Sequence, residues 1–270
     1  MNNEFPVSRL LARIGLGALP KADRQGLATL VDAFRQAIPF ENFDTLAGIP
    51  VSCKLADIVD KILVNGRGGW CHELNQLFAE TLRVAGFDVA YRLARVGYRR
   101  PSFGPLTHLV MVVTLDAEQW LVDVGFGGPG PTEPMPLASE GFTGRQGEHF
   151  RIDHEAVGSI TLHRLIEGDW VPLYQIQTIN VLPVDIEMAC HFTATSPLSP
   201  FRRIFMCAAC DGEFTWTLEG DELLRRGAQW QVISRVRIED ARHLQTIIEA
   251  NFCIRVPMAV VEQSWVQVTT

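Results

Sequence analysis

The chain has 270 residues, a formal net charge of −7, 47% hydrophobic residues and 20% charged residues. That balance is ordinary for a soluble globular protein, and the length allows two or three small domains. The acidic surplus argues against nucleic acid or an anionic membrane as the main partner, so a phosphate-bearing ligand would need a local basic patch. No apolar run of about 20 residues is present, so no membrane span is expected. Met1-Asn2-Asn3-Glu4 has no basic n-region, so no signal peptide is expected. The six cysteines (53, 71, 190, 207, 210 and 253) are scattered, which suits reduced thiols in a cytoplasm rather than a disulfide scaffold.

Residues 7–37 predict two helices. Ser8 is placed to cap the first, with Leu10, Leu11 and Ile14 on its face. Leu27, Leu30, Val31 and Phe34 stripe the second, which Pro39 breaks. Leu55, Ile58, Val59, Ile62 and Leu63 predict an amphipathic helix over 55–64. Next comes Arg67-Gly68-Gly69-Trp70-Cys71-His72-Glu73-Leu74-Asn75. Leu74, Leu77, Phe78, Leu82 and Ala85 then recur at helical spacing, and Gly86 follows as a stop. Cys71 therefore stands in the first turn of a helix. Unpaired N–H groups and the positive end of the dipole favour its thiolate there. A buried structural cysteine is the plain alternative; the two preceding glycines and the helix-start position weigh against it. Glu73 suits the dipole and the nearby N–H groups.

From Phe87 the period becomes that of strands. Val89, Tyr91 and Leu93 alternate with Ala90, Arg92 and Ala94. Residues 109–115, 120–124, 150–152, 160–166 and 170–176 continue the pattern, with a loop rich in Gly and Pro over 125–136. The last third predicts a short helix over 185–193, strands over 204–208, 214–218 and 230–238, and a helix over 239–251.

A cysteine nucleophile needs a base, and the base an orienting group. His108 begins one apolar strand and Asp123 lies near the end of the next. A turn at 116–119 pairs residues whose numbers sum to about 235, leaving the two on one face but about four residues, roughly 13 Å, apart along the ladder. A bulge, curvature or a different register must close that gap. Taken alone, each is as readily a structural residue. His72, next to Cys71 on the helix, is expected to point about 100° away from the sulfur. Cys207-Ala208-Ala209-Cys210, with His191 nearby, lacks the ligand count of a zinc site, so no metal is expected. Gly125-Phe126-Gly127-Gly128 lacks the Lys-Ser/Thr ending of a phosphate loop.

The stretch from Arg67 to Asn75, preceded by Pro39-Phe40-Glu41-Asn42 and followed by Asp123-Val124-Gly125-Phe126-Gly127, resembles the arylamine N-acetyltransferases, whose signature reads R-G-G-x-C-x-E-L-N. The resemblance runs from Leu11-Ala12-Arg13-Ile14-Gly15 to Ser199-Pro200-Phe201 and thins beyond. It implies a Cys71–His108–Asp123 triad, acetyl-CoA as donor, an acetyl-Cys71 intermediate, and an arylamine, arylhydrazine or N-hydroxyarylamine as acceptor. Phe40, Phe126 and Phe201 match positions lining the acceptor pocket, though ordinary core packing would also explain them. Gly125, Gly127 and Gly128 would approach the coenzyme A arm, with Thr107 in contact. Arg67 and Glu41 would pair and hold the cysteine loop. Arg99-Arg100 and Arg202-Arg203 are the nearest basic pairs for the phosphates. His72 stands where the family usually has an aromatic residue, and Trp70 where Tyr or Phe is more usual.

The expected fold is α+β and multi-domain. It has a helical bundle over 1–86 with the cysteine, an antiparallel β-barrel over 87–190 with the histidine and aspartate, and an α/β lid over 191–270. Three other readings share some of these residues: an amide synthase closing a polyketide-type acyl thioester with the same triad, a transglutaminase- or thiol-protease-like enzyme, and a non-catalytic binding module.

Overall fold

The computed structural model describes residues 5–155 and 158–269. Met1-Asn2-Asn3-Glu4, which bear on the signal-peptide expectation, lie outside the described residues. Among the described residues no helix is long and apolar enough to cross a membrane.

The N-terminal part is helical: α1 (Val7–Ile14), α2 (Arg24–Ala37), α3 (Phe43–Leu46), α4 (Leu55–Val59, continued by a π-helical turn, Asp60–Val64) and α5 (Cys71–Val84). Pro6 is the N-cap of α1, and among the described residues no side chain caps it. Ser8, expected in that role, lies inside the first turn. Proline suits a helix start because it has no N–H to leave unpaired. Asp23 caps α2, its carboxylate accepting the Gly26 N–H at 2.9 Å. Gly86 follows α5 with φ of 92°, a conformation open to glycine. Leu10, Leu27, Leu30, Phe34, Leu74, Leu77 and Phe78 share one core.

Eight strands follow: β1 (Asp88–Val96), β2 (Leu106–Leu115), β3 (Glu118–Val122), β4 (Met135–Pro136), β5 (Gly141–Thr143), β6 (His149–Glu155), β7 (Ser159–Ile166) and β8 (Asp169–Gln177). They form one antiparallel sheet in the order β4-β3-β2-β1-β8-β7-β6-β5, curled into a nearly closed barrel. Alternation along β2 splits its side chains between two cores. Met111 and Val113 join the helical core, while Val110 and Val112 face the barrel interior. The segment 125–136, expected as loop throughout, ends in β4, where Met135 pairs with Leu121.

The β2–β3 turn is tighter than the sequence suggests. Leu115 faces Glu118, with Asp116 and Ala117 at φ of 50° and 68° between them. Positive φ at both central positions is the hairpin geometry that matches strand twist. The shorter turn changes the register. Continued along the ladder, it sets His108 opposite Gly125, two residues from Asp123 rather than four.

Helix α6 (Pro183–Thr195) is longer than expected and runs unbroken through residues 190 and 191. A second antiparallel sheet has the order β12-β11-β10-β9, from β9 (Cys207–Asp211), β10 (Phe214–Glu219), β11 (Glu222–Arg226) and β12 (Val232–Arg237). The strand expected over 204–208 is therefore shifted, because Asn42 holds the residues before it. Asn42 Nδ2 donates to the Ile204 carbonyl and its Oδ1 accepts the Met206 N–H, both at 2.9 Å. Helices α7 (Ala241–Asn251) and α8 (Met258–Thr269) complete the chain and pack on this sheet around Leu218, Leu244, Ile248 and Val261. Helix α7 begins later than expected, because Asp240 caps it by accepting the His243 N–H at 2.8 Å.

Candidate active site

Cys71 is the first residue of α5, behind an extended Trp70. The helix start is closed by Glu73, whose Oε2 accepts the Trp70 N–H at 3.0 Å. Behind the loop lies a buried charged cluster. Arg67 Nε donates to Glu41 Oε1 at 3.0 Å, and its terminal nitrogen reaches Asp44 Oδ1 at 2.8 Å. Lys61 Nζ stands 2.8 Å from both Asp44 and Glu73. Arg67 and Glu41 are thus together, as expected. Lys61 and Asp44 were not foreseen as their partners. Burial alone would lower the Lys61 ammonium, but the three carboxylates around it raise it above its ordinary value.

On the barrel side, His108 Nε2 lies 2.7 Å from Asp123 Oδ2. Two features bring them together from two residues apart. The register between β1 and β2 slips beside His108, pairing Ala94 with His108 but Arg95 with Leu106, so Thr107 is the extra residue of a bulge. Strand β3 ends at Val122, which frees Asp123 to turn in. Asp123 Oδ1 accepts Asn75 Nδ2 at 3.0 Å and the Gly125 N–H at 2.9 Å. Asn75 also donates to the Leu109 carbonyl at 2.6 Å and accepts the Val124 N–H at 3.0 Å. One buried amide therefore ties the Cys71 helix to the His108 strand and the Asp123 turn. Asn75 stands four residues after Cys71, on the same helix face, so its signal was present in the motif.

The electrostatics follow this geometry. Burial would lower His108. The Asp123 charge and hydrogen bond, with the Cys71 sulfur, raise it to about 10. Burial would raise the Asp123 carboxyl; His108, Asn75 and the Gly125 N–H hold it below its usual value. Burial would likewise raise the Cys71 thiol. His72 and His108 together bring it down to about 5. The arrangement favours thiolate beside imidazolium at neutral pH.

His72 does not face away from the sulfur. Its Nδ1 lies 3.5 Å from Cys71 Sγ, and its ring stands edge-on to Trp70 at 6.0 Å between centroids. The 100° spacing of α-carbons did not prevent contact between two side chains in the first turn.

A cavity of about 780 Å³ opens onto the sulfur and the imidazole. Phe40, Phe126 and Phe201 line it, as do Thr107, Gly125, Gly127 and Gly128. Phe126 lies 5.3 Å from the His108 ring, and Phe201 6.0 Å from Phe40. Glycine is required where the 125–128 loop passes closest. A Cβ on Gly125 would come within 2.8 Å of Cys71 Cα, and one on Gly127 within 2.5 Å of the Phe40 ring. Arg99, Arg100 and Arg203 also line the cavity. Arg202 instead donates to the Thr195 carbonyl at 3.0 Å. Cys207 and Cys210 lie on β9, and among the described residues no three potential metal ligands gather.

The chain matches the N-acetyltransferase family model over residues 23–261. It is 32% identical over 252 residues to the arylamine N-acetyltransferase of Mycolicibacterium smegmatis, covering 90% of each chain. It is 33% identical over 232 residues to the Salmonella typhimurium arylamine N-acetyltransferase / N-hydroxyarylamine O-acetyltransferase, covering 84% of this chain and 81% of that one. Its structure is similar to that of Mycobacterium marinum arylamine N-acetyltransferase in complex with CoA, with a TM-score of 0.89, 28% identity, and coverage of 97% of this chain and 99% of that one. Fold and site define an acyltransferase built on a nearly closed barrel. The chain belongs to the arylamine N-acetyltransferase family.

Proposed function

We propose that this enzyme transfers an acetyl group from acetyl-CoA to an arylamine, arylhydrazine or N-hydroxyarylamine through an acetyl-Cys71 intermediate. The observation that carries the reading is the hydrogen-bonded pair Asp123–His108 beside a helix-start cysteine at one cavity wall. The Cys71 thiolate attacks the thioester carbonyl, a nearly neutral exchange of one thioester for another. Coenzyme A leaves as thiol, taking its proton from the His108 imidazolium, which is left neutral. The acceptor nitrogen then attacks the acetyl carbon, the carbon–sulfur bond breaks, and His108 takes the amine proton. Asp123 orients the imidazole and supports its charge. Backbone N–H groups near Cys71 hold the oxyanion.

Phe40, Phe126 and Phe201 form the apolar wall for the acceptor ring. Thr107 and the glycines at 125, 127 and 128 leave room for the coenzyme A arm. Arg100 and Arg203 are the cations placed for its phosphates, since Arg99 is engaged by Glu219 at 2.8 Å. Arg67 and Glu41 hold the cysteine loop. Cytoplasmic action on foreign aromatic amines fits this chemistry.

Incubation with acetyl-CoA alone should add one acetyl group to the peptide carrying Cys71. Parallel double-reciprocal lines should follow when donor and acceptor are both varied. A ternary-complex pattern with no acylated peptide would refute the covalent route.

A further inference from the structure

His72 is fully buried, and among the described residues its Nε2 has no hydrogen-bond partner. Its Nδ1 is aimed at Cys71 Sγ at 3.5 Å. A neutral imidazole carries one N–H. Placed on Nε2, that proton would be a buried donor with no acceptor, which native structures rarely tolerate. Placed on Nδ1, it meets the sulfur. The other titratable groups around the sulfur are His108 and Asp123 from the barrel, Glu73 on α5, and the Cys190 and Cys53 thiols beyond it. His108 has a carboxylate behind it and can pass charge along. Among the described residues His72 has none.

We propose that His72 is a second imidazole on the nucleophile, a fixed donor that keeps its Nδ1 proton on Cys71 Sγ and receives the sulfur anion when the acyl group departs. The inference rests on the Cys71 acyl-enzyme reading above. In the second half-reaction the nitrogen–carbon bond forms, the carbon–sulfur bond breaks, and the electron pair returns to Sγ. The amine proton goes to His108, so the sulfur must be stabilised without being protonated. A hydrogen bond to a charged acceptor is about twice as strong as a neutral one, and here it is made by a side chain fixed beside the sulfur on the same helix turn.

The experiment is the pH profile of iodoacetamide labelling at Cys71, read by mass spectrometry, in the parent, His72→Phe and His72→Asn. Phenylalanine keeps a ring against Trp70 and removes the donor. Asparagine keeps an amide N–H near the Nδ1 position. The labelling midpoint should rise by about one pH unit in His72→Phe, a tenfold slower reaction below it, with partial recovery in His72→Asn. Release of acetyl from Cys71 to an arylamine should slow in the same order. An unshifted midpoint in a folded His72→Phe overturns the inference and leaves the triad intact. A parent in which Cys71 labels no faster than the other five cysteines overturns the triad reading itself. Should His72→Phe fail to fold, nitrogen-15 NMR of the parent decides: a proton on His72 Nδ1 alone supports the proposal, and a proton on Nε2, alone or with one on Nδ1, overturns it.

Discussion

Asp123→Asn tests the triad most sharply, because the neighbours of Asp123 determine what the new amide must do. Oδ1 of the carboxylate accepts two donors, Asn75 Nδ2 at 3.0 Å and the Gly125 N–H at 2.9 Å, while Oδ2 faces His108 Nε2 at 2.7 Å. An asparagine has one oxygen and one NH₂ to place there. With its oxygen toward the two donors it keeps both bonds. Turned over, it sets N–H against N–H and loses both, at roughly 1–3 kcal/mol each. The first orientation therefore wins by about 2 kcal/mol or more, at least tenfold in population. It presents a donor to His108 Nε2, which must then accept. The imidazole proton moves to Nδ1, the nitrogen left for Cys71, and the ring can no longer take the thiol proton. The thiol, held at about 5 in the parent, should climb toward its ordinary 9.0. Turnover should fall by about 10⁴-fold, the loss the same replacement causes in a serine triad. Alkylation of Cys71 against pH, initial rates and circular dichroism together read the outcome. An unshifted alkylation curve with near-normal turnover in a folded protein would remove Asp123 from the triad.

In the parent, alkylation of Cys71 should rise through about pH 5 and be level by pH 7, because a lowered thiol pKa leaves thiolate above it. Cys190, whose thiol is raised by its Cys53 contact and burial, and Cys207, raised by burial, should stay unlabelled there, and equal labelling of all six cysteines at pH 6 would contradict the ion pair. Gly125→Ala places a methyl 2.8 Å from Cys71 Cα and 3.0 Å from Asn75 Nδ2. Unfolding should cost about 1–3 kcal/mol less, with a larger loss of rate per folded molecule, measured by urea titration and initial velocity. Lys61→Met removes the cation nearest Glu73, whose carboxyl burial already raises, and should destabilise by about 3–5 kcal/mol at pH 7.5. A carboxyl with a raised folded pKa is penalised above that value and not below its unfolded one. The deficit should therefore shrink toward pH 5, and a pH-independent deficit would show that Glu73 is not the affected group.

Much of the site was legible because its signals are local. Gly68, Gly69 and the stripe from Leu74 to Leu82 place Cys71 at a helix start without reference to the rest of the chain. The β2–β3 hairpin was half legible. Parity put His108 and Asp123 on one face, but a two-residue turn from Asp116 and Ala117 carries no glycine to announce it, so the register was misjudged by two residues. The charged cluster was visible only as Arg67 and Glu41. Lys61 and Asp44 come from separate elements that meet in three dimensions. Strand β11, Glu-Leu-Leu-Arg-Arg, lacks alternation, and α8 carries its apolar residues on more than one face, so neither showed in the periodicity. The contact of His72 with the sulfur depends on side-chain rotamers, which α-carbon spacing does not describe.

Phe40 joins two distant parts of the chain through its backbone. Its N–H donates to the Ala208 carbonyl at 2.9 Å, its carbonyl accepts the Ala208 N–H at 3.0 Å, and it bridges to Gly69 on the other side. Asn42 extends the link to Phe201, Ile204 and Met206. Partners more than 150 residues away pair late, because closing so long a loop precedes any reward from the contact. During synthesis the helices and the barrel emerge first, and the N-terminal part folds before the end of the chain exists. A nascent chain whose emerged part ends near residue 195 would thus present Cys71 beside His108 without the wall that residues 201–208 provide. The nascent enzyme passes through a window in which its most reactive thiol is least covered, and oxidants or electrophiles met in that interval would find it before any substrate pocket exists.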